Sequence, residues 1–224
     1  MLRPLFVAAL VAGLLSSTAA RADAVTIIGF QWGSSDIDTS LSGTVAVGQF
    51  KGTHNGNAFV TYCTDLYESF NWNTPYTNYL PVANGSTYGF TAAQADTLGK
   101  LYTVASAQVD TADESVAFQL AVWEVLYDNA FQVRDVPGRG NFYVQSGGAA
   151  GQQTLANGWL AQASALGSSQ FSVMRLASVD APGLNDGRQD FILVNRVPEP
   201  QTHALMLAGV GAMAFVARRR RTGD

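Results

Sequence analysis

The pattern of apolar and polar positions predicts a helix near the middle of the chain, at 113-DESVAFQLAVWEVLYDN-129. Thr111 followed by Glu114 fits a capping box, which marks where this helix begins. With an advance of about 100° per residue, the large apolar side chains fall on one stripe of the helix. The stripe consists of Val116, Leu120, Trp123 and Tyr127. The predicted polar face consists of Asp113, Glu114, Glu124 and Asp128.

Gln119 breaks this pattern, because it projects between Trp123 and Leu126, nearly opposite the predicted polar face. A buried carboxamide costs on the order of 1–3 kcal/mol unless its donors and its acceptor are satisfied. The sequence therefore predicts that Gln119 has a specific partner in the core.

The remaining periodic segments predict strands on both sides of a helical region. The predicted strands span 25–32, 43–50, 58–66, 171–179 and 189–197. The predicted helices span 91–109, 113–129 and 149–166. His54-Asn55-Gly56-Asn57 is typical of a hairpin turn, so the first three strands are expected to form an antiparallel meander. The segments 33–42 and 131–148 are predicted to be turn and loop. This order predicts an α+β fold, an antiparallel sheet or sandwich with a small helical cluster.

The segment 67–90 has no clear period and is rich in aromatic residues and asparagine. We predict a long ordered loop that carries short strands, partly because Pro75 and Pro81 interrupt it. Its aromatic side chains are Phe70, Trp72, Tyr76, Tyr79, Tyr88 and Phe90. Two interpretations stay open: these rings pack in the core, or the exposed ones form a glycan-binding loop with neighbouring polar groups.

The N-terminal segment has the parts of a secretory signal peptide. A basic start at Arg3 is followed by an apolar run from Leu5 to Leu15, and then by small residues with A-x-A matches ending at Ala22 and Ala24. The apolar run is too short to span a bilayer. We therefore expect 1–24 to be a signal peptide, and an ordinary N-terminal helix is the alternative.

The C-terminal segment 197–224 has an ordered three-part pattern. A proline-bounded motif comes first, then an apolar run at 203–217, and last an arginine cluster that would stop in the cytoplasm. The motif is Pro198, Glu199 and Pro200. The cluster is Arg218, Arg219, Arg220 and Arg221. This pattern resembles the PEP-CTERM sorting tail, which implies recognition and cutting by an exosortase, a membrane peptidase, near the Pro-Glu-Pro. A plain C-terminal anchor helix is the alternative.

The region between the two ends, 25–196, is long enough for one packed domain. Residues 23–200 contain seven Lys and Arg against sixteen Asp and Glu, a net charge of −9. Such an acidic surface argues against nucleic acid as a partner. Cys63 is the single cysteine of the chain, so no internal disulfide and no zinc ligand set is available, and we expect no metal or cofactor.

Cys63 and Gln119 together suggest a covalent reaction. Acyl transfer from the Gln119 carboxamide to the thiol would expel ammonia and form an internal thioester, which an apolar helix face would protect from water. The aromatic-cysteine pair Tyr62-Cys63, followed by Gln119, Ala121 and Trp123 on a helix, resembles the motifs of bacterial thioester domains from surface adhesins. Phe118 stands where that family has threonine, and the interval between the two motifs is shorter than expected.

The resemblance implies an exported surface or matrix protein that attaches covalently to a surface amine or hydroxyl, or to extracellular polysaccharide. It is not expected to be an enzyme. Before processing, its tail would hold it in the inner membrane for an exosortase-like peptidase. Three alternatives stay open. Cys63 is an inert buried thiol with Gln119 bonded to strand backbone; the domain is a structural or glycan-binding module; or His54 activates Cys63 in a hydrolase.

Overall fold

The fold is seen in a computed structural model that describes residues 22–128, 132–134, 140–147, 150–179, 187–197, 205–210 and 212–213. Within these residues it combines α-helices with antiparallel sheets, which confirms the predicted α+β class. The strands are β1 Asp23–Phe30, β2 Ser35–Thr39, β3 Gly43–Val47, β4 Phe50–His54, β5 Asn57–Thr61, β6 Tyr76–Val82, β7 Val144–Ser146, β8 Phe171–Ser178 and β9 Phe191–Arg196. The helices are α1 Ala92–Ala105, extended by a 3₁₀ turn at Ser106–Gln108, α2 Ala112–Tyr127 and α3 Ala150–Ala165.

The larger sheet has six antiparallel strands in the order β5-β4-β1-β6-β8-β9 and is nearly closed. Its two outer strands meet just beyond the end of β5, where Cys63 bridges Phe191 of β9. Thr64 N donates to Asp190 O at 3.0 Å, and Ile192 N donates to Tyr62 O at 3.1 Å. We call this meeting point of residues 62–64 with residues 190–192 the seam.

The smaller sheet has the order β3-β2-β7. Along the chain, its strands β2 and β3 lie between β1 and β4, and β7 lies between α2 and α3. The predicted three-strand meander therefore consists of β1, β4 and β5 instead of three consecutive strands. The turn between β4 and β5 is the predicted one. Asn55 and Gly56 adopt positive φ values of 51° and 79°, as a two-residue hairpin turn requires.

Helix α2 is buried on every side. Both predicted helix starts are confirmed, because Thr91 and Thr111 each form a capping box at the first turn of their helices. Every residue of α2 from Ser115 to Val125 is buried. The prediction of a solvent-facing polar side is therefore wrong at Glu124, which is fully buried. Helices α1 and α3 and the smaller sheet pack against α2, and the seam contacts it at Phe118 and Gln119.

Two strands lie in segments predicted as turn and loop, and a third lies in the segment predicted as a loop that carries short strands. β2 lies within 33–42, and β7 within 131–148. β6 lies within 67–90 and is a central strand between β1 and β8. Among the described residues its Pro81 pairs with β8 alone, because the first described pair of β1 with β6 is Asp23 with Tyr79.

The predicted signal peptide falls almost wholly on residues 1–21, which lie outside the described residues. The sorting motif Pro198–Pro200 and the cluster Arg218–Arg221 also lie outside them. Within the predicted tail, 205–210 and 212–213 are helical, and the side chains of Leu205, Met206 and Leu207 are exposed. No helix among the described residues combines the length and the apolar character needed to cross a membrane.

Gly52 on β4 has no room for a side chain, because a Cβ atom would lie 1.9 Å from the carbonyl oxygen of Thr26 on β1. We predict that Gly52→Ala lowers the free energy of unfolding by at least about 3 kcal/mol, measured by urea denaturation. The matched control is Gly158→Ala on the exposed face of α3, where a Cβ meets nothing within 4 Å. The control should stabilise the protein by about 0.5–1 kcal/mol. Equal stabilities of the two variants would contradict this account of the β1–β4 contact.

Candidate functional site

Cys63 lies at the seam, where the chain stops pairing with β4 and begins to pair with β9. Thr61, opposite Phe50, is the last residue of β5 that pairs with β4. The hydrogen bonds of the seam come from the residues on either side of Cys63. In such a non-hydrogen-bonded antiparallel pair, the N–H and C=O of the central residue point away from the partner strand. The backbone groups of Cys63 therefore need another partner in the core.

The Gln119 carboxamide is that partner. Its Oε1 accepts a hydrogen bond from Cys63 N at 2.9 Å, and its Nε2 donates to Cys63 O at 2.9 Å. Gln119 is 1% exposed, so both bonds are shielded from water. The sequence predicted a core partner for Gln119, and the structure places it on the backbone of the one cysteine.

The Cys63 thiol is buried and protonated at neutral pH. Its Sγ donates to the carbonyl oxygen of Asp65 at 3.0 Å. Burial raises the pKa of the thiol well above its usual value, and the negative charge of Asp65 raises it further. The nearby Trp123 side chain opposes this increase in pKa but does not outweigh it. The sulfur therefore needs a base before it can act as a nucleophile.

Tyr62, Ala121 and Trp123, which are predicted to support the pair, are all buried. Tyr62 is fully buried and stacks on Phe118, with ring centroids 4.5 Å apart and planes inclined by 21°. Phe118, which replaces the threonine of the thioester motif, thus holds α2 against the seam. The Trp123 indole N–H has no hydrogen-bond partner in the part of the chain that the structure describes.

A cavity of about 220 Å³ leads to Cys63. Aromatic and aliphatic side chains form most of its wall, and Asp65, Glu68, Ser69 and Gln189 supply its polar groups. Its aromatic residues are Phe30, Phe50, Phe70, Trp72 and Trp123. Trp72 is 43% exposed and packs edge-on against Phe70 at 4.8 Å, so part of the 67–90 aromatic group lies at this cavity. Tyr79 and Phe90 of the same group are fully buried in the core.

Three carboxyl groups cluster beside the seam: those of Asp65, Glu68 and Asp190 have oxygens within 4.8 Å of one another. Asp65 Oδ1 accepts from Glu68 N at 2.9 Å, and its Oδ2 accepts from Gln189 Nε2 at 3.0 Å and Asp190 N at 3.2 Å. The Arg175 guanidinium lies 3.7 Å from Asp190 Oδ2. N–H donors and a guanidinium thus already occupy this cluster, and we assign no metal to it.

His54 does not accompany Cys63. Its Nε2 lies 2.7 Å from Asp23 Oδ2, and its ring packs on Phe59. His54 pairs with Asn57 at the turn end of the β4–β5 hairpin. Cys63 is six positions beyond Asn57 along a nearly extended chain, which corresponds to a distance of about 20 Å. The alternative of a Cys63–His54 nucleophile and base is therefore wrong.

The C-terminal end of the chain gives the match to a known family. Residues 196–221 match the PEP-CTERM protein-sorting motif. The match confirms the predicted sorting tail, and it indicates an exported protein that is anchored to the membrane before an exosortase processes it. The PEP-CTERM motif begins at the last residue of β9.

Comparisons with curated proteins and with solved structures found no match. The resemblance of 25–196 to thioester domains gains no support from them, and it depends on the residues around Cys63 and Gln119.

Sequence reasoning missed the carboxyl groups around Cys63. Asp65 lies at the end of the predicted strand 58–66, and Glu68 lies in the predicted loop 67–90. A signal was present, because 61-TYCTDL-66 places Thr61, Thr64 and Asp65 among apolar residues without a polar period. All three side chains are buried.

Glu124 is a second missed carboxyl group, one residue from Trp123. Its Oε1 accepts from Gln132 N at 2.9 Å, and its Oε2 has no hydrogen-bond partner among the described residues. Burial raises the pKa of Glu124 to about 7, and the Gln132 N–H only partly offsets this effect. Burial likewise raises the pKa of Asp190 to about 7.

These raised pKa values predict a protein that is less stable at neutral pH than at mildly acidic pH. An unfolded glutamate ionises near pH 4.3. The folded state keeps the Glu124 proton until about pH 7, so stability is lost as pH rises through this range. We predict that Glu124→Gln removes part of this loss and raises the free energy of unfolding at pH 8 by on the order of 2–3 kcal/mol.

Urea denaturation between about pH 5 and pH 8 measures this effect. Asp190 should retain a pH dependence of the same sign in the variant. The control is Asp96→Asn, which removes an exposed carboxylate on α1 and should leave the slope of stability against pH as in the wild type. A Glu124→Gln slope equal to that of the wild type would contradict the assignment.

Proposed function

We propose that this protein is an exported cell-surface or extracellular-matrix protein in which Cys63 and Gln119 form an internal thioester for covalent attachment. The observation that carries the proposal is the contact of the Gln119 carboxamide with the backbone of Cys63, at 2.9 Å through both of its polar atoms.

The reaction joins the sulfur to the side-chain carbonyl carbon of Gln119. The C–N bond of the carboxamide breaks, and the thiol proton leaves with the amide nitrogen as ammonia. As the carbon becomes tetrahedral, negative charge develops on Oε1. Cys63 N already donates to that oxygen, so it is in place to stabilise the charge. The thiol must first leave the Asp65 carbonyl oxygen, its present acceptor.

The surroundings of the pair suit a reactive acyl group. Tyr62, Phe118 and Trp123 bury the contact, so water has little access from the helix side. The cavity reaches Cys63, so an amine or hydroxyl would approach the thioester from the side of the sulfur, past aromatic walls and carboxyl groups. Each molecule would form one bond to its target and would not turn over, so the protein is not an enzyme under this proposal. The target would be a surface amine or hydroxyl, or extracellular polysaccharide.

The sorting tail would deliver this domain to its site of action. An exosortase-like peptidase would cut near Pro198, Glu199 and Pro200, after the tail has held the protein in the inner membrane. The mature protein would then act at the cell surface or outside the cell. Removal of the signal peptide after Ala22 would leave Asp23 in place to pair with His54, whereas cleavage after Ala24 would remove the first two residues of β1.

We predict that the intact purified protein lacks the mass of one ammonia, measured by mass spectrometry under non-reducing, amine-free conditions. Cys63→Ala should restore the full mass, because no sulfur is available to displace the nitrogen. Gln119→Glu should also have its full mass, because a carboxylate is a poor acyl donor to a thiol. Asp96→Asn is a control that should keep the mass deficit.

Full mass of the wild type, together with a Cys63 thiol that is alkylated on unfolding, would contradict the thioester. In that case Gln119 serves only to satisfy the backbone at the seam, as its two hydrogen bonds allow. The domain would then be a structural or glycan-binding module. The exposed Trp72 at the mouth of the cavity favours the latter as the second candidate.

We predict that replacing Pro198, Glu199 and Pro200 by alanine prevents processing. The variant should keep its tail, run as the larger species and stay in the membrane fraction, because the peptidase no longer recognises its cutting site. Gel mobility and fractionation of the producing cells measure both effects. The control is Cys63→Ala with an intact motif, which should be processed normally. Normal release of the alanine variant would rule out this motif as the processing signal.

A further inference from the structure

We propose that Asp65 and Glu68 form a carboxyl pair that carries protons for the Cys63–Gln119 reaction. This inference depends on the proposed thioester, because the pair has protons to transfer only if the sulfur exchanges an acyl group. The proposal assigns a role to two residues that the motif of the thioester families does not include.

The two carboxyl groups lie close together. Glu68 N donates to Asp65 Oδ1 at 2.9 Å. One oxygen of the Glu68 carboxyl group lies within 4.8 Å of an oxygen of the Asp65 carboxyl group. Two carboxylates at this separation repel each other, so the pair favours holding one proton and one negative charge. In that state it is able both to donate and to accept.

The pair lies close to the sulfur. Cys63 Sγ donates to the carbonyl oxygen of Asp65 at 3.0 Å. Gln189 Nε2 donates to this carbonyl oxygen at 3.1 Å and to Asp65 Oδ2 at 3.0 Å. The Gln189 side-chain amide thus bridges the Asp65 carboxyl group and the carbonyl oxygen that accepts a hydrogen bond from the thiol.

The cavity connects the same groups. Cys63, Asp65 and Glu68 all line it, and its volume of about 220 Å³ has room for water. General acid–base transfer works directly or through one water molecule. Asp65 and Glu68 are the carboxyl-bearing side chains in the described wall of this cavity.

Other titratable or charged groups approach the pair from the surrounding elements. They are Asp190 before β9, Arg175 on β8, Tyr127 on α2 and Tyr79 on β6. Burial raises the pKa of both tyrosines, so they stay protonated. Arg175 lies 3.7 Å from Asp190 Oδ2, and neither residue lines the cavity. These groups set the charge around the pair, but they do not reach the reacting atoms through the cavity.

The proton balance closes in both directions. When the thioester forms, Asp65 takes the proton of the thiol, and the pair gives a proton to the departing nitrogen, which leaves as ammonia. When an amine opens the thioester, the pair takes a proton from the attacking nitrogen and returns one to the sulfur. The new C–N bond replaces the C–S bond, and the pair ends each reaction with the proton and the charge that it began with.

The test uses the intact purified protein and methylamine as the attacking amine. Mass spectrometry follows the addition of methylamine with time, between about pH 5 and pH 9. The variants are Glu68→Gln and Asp65→Asn, and the control is Asp96→Asn. We expect both variants to open about 10²-fold more slowly than the wild type near neutral pH. This ratio should shrink at low pH, where the wild-type pair is fully protonated, and a merely structural role would not produce this pH dependence.

The outcomes separate this inference from the thioester itself. A wild type with the full mass overturns both. A wild type that lacks one ammonia, together with unchanged opening rates across the pH range in the variants, overturns only the carboxyl pair. Asp65 is deeply buried and accepts several hydrogen bonds, so Asp65→Asn has the greater risk of unfolding. In that event the partly exposed Glu68→Gln decides the question alone.

Discussion

The two hydrogen bonds between Gln119 and Cys63 are the contact on which the rest of the structure depends. The six-stranded sheet closes at the seam through only a few backbone bonds, and the polar backbone groups of Cys63 face away from the joining strand. Left unpaired in a dry core, each would cost about 1–3 kcal/mol. A helix side chain removes this cost, and in doing so it draws α2 into the centre of the domain, with α3 and the smaller sheet around it.

The sequence supports this arrangement where local rules are strong. Thr91 and Thr111 mark two helix starts, Asn55-Gly56 marks a hairpin, and Gln119 is identified as a residue that needs a partner. The errors arise where tertiary context decides. β6 has no polar period because both of its faces carry aromatic residues, and at its proline β8 is the neighbour that the described residues supply. By periodicity Glu124 belongs to the polar face of its helix. In the folded domain it is buried and accepts a hydrogen bond from Gln132, a contact that periodicity along one helix does not reveal.

The same contrast between local pattern and tertiary context applies to the candidate site. Cys63 and Gln119 could be paired from the sequence because a lone thiol and a misplaced carboxamide are each unusual. Asp65 and Glu68 could not be added, because their significance comes from the turn that the chain makes after the seam. That turn places Asp65 beside the sulfur. Gln189, which precedes β9, then bridges the Asp65 carboxyl group and the Asp65 carbonyl oxygen that accepts from the thiol. Under the proposed thioester, the contact that satisfies the backbone of Cys63 would also hold the acyl donor beside the thiol.

The sorting motif follows the folded domain with no spacer. β9 ends at Arg196, and Val197 N still donates to Gln170 O at 2.8 Å. Even a fully extended chain puts Pro200 within about 14 Å of Arg196. A peptidase that cuts there must accept the end of a β-sheet at its entrance. Any bond made later through a carboxyl end created there would attach the domain within a few residues of β9, so that the β9 edge would lie nearest to the attachment point.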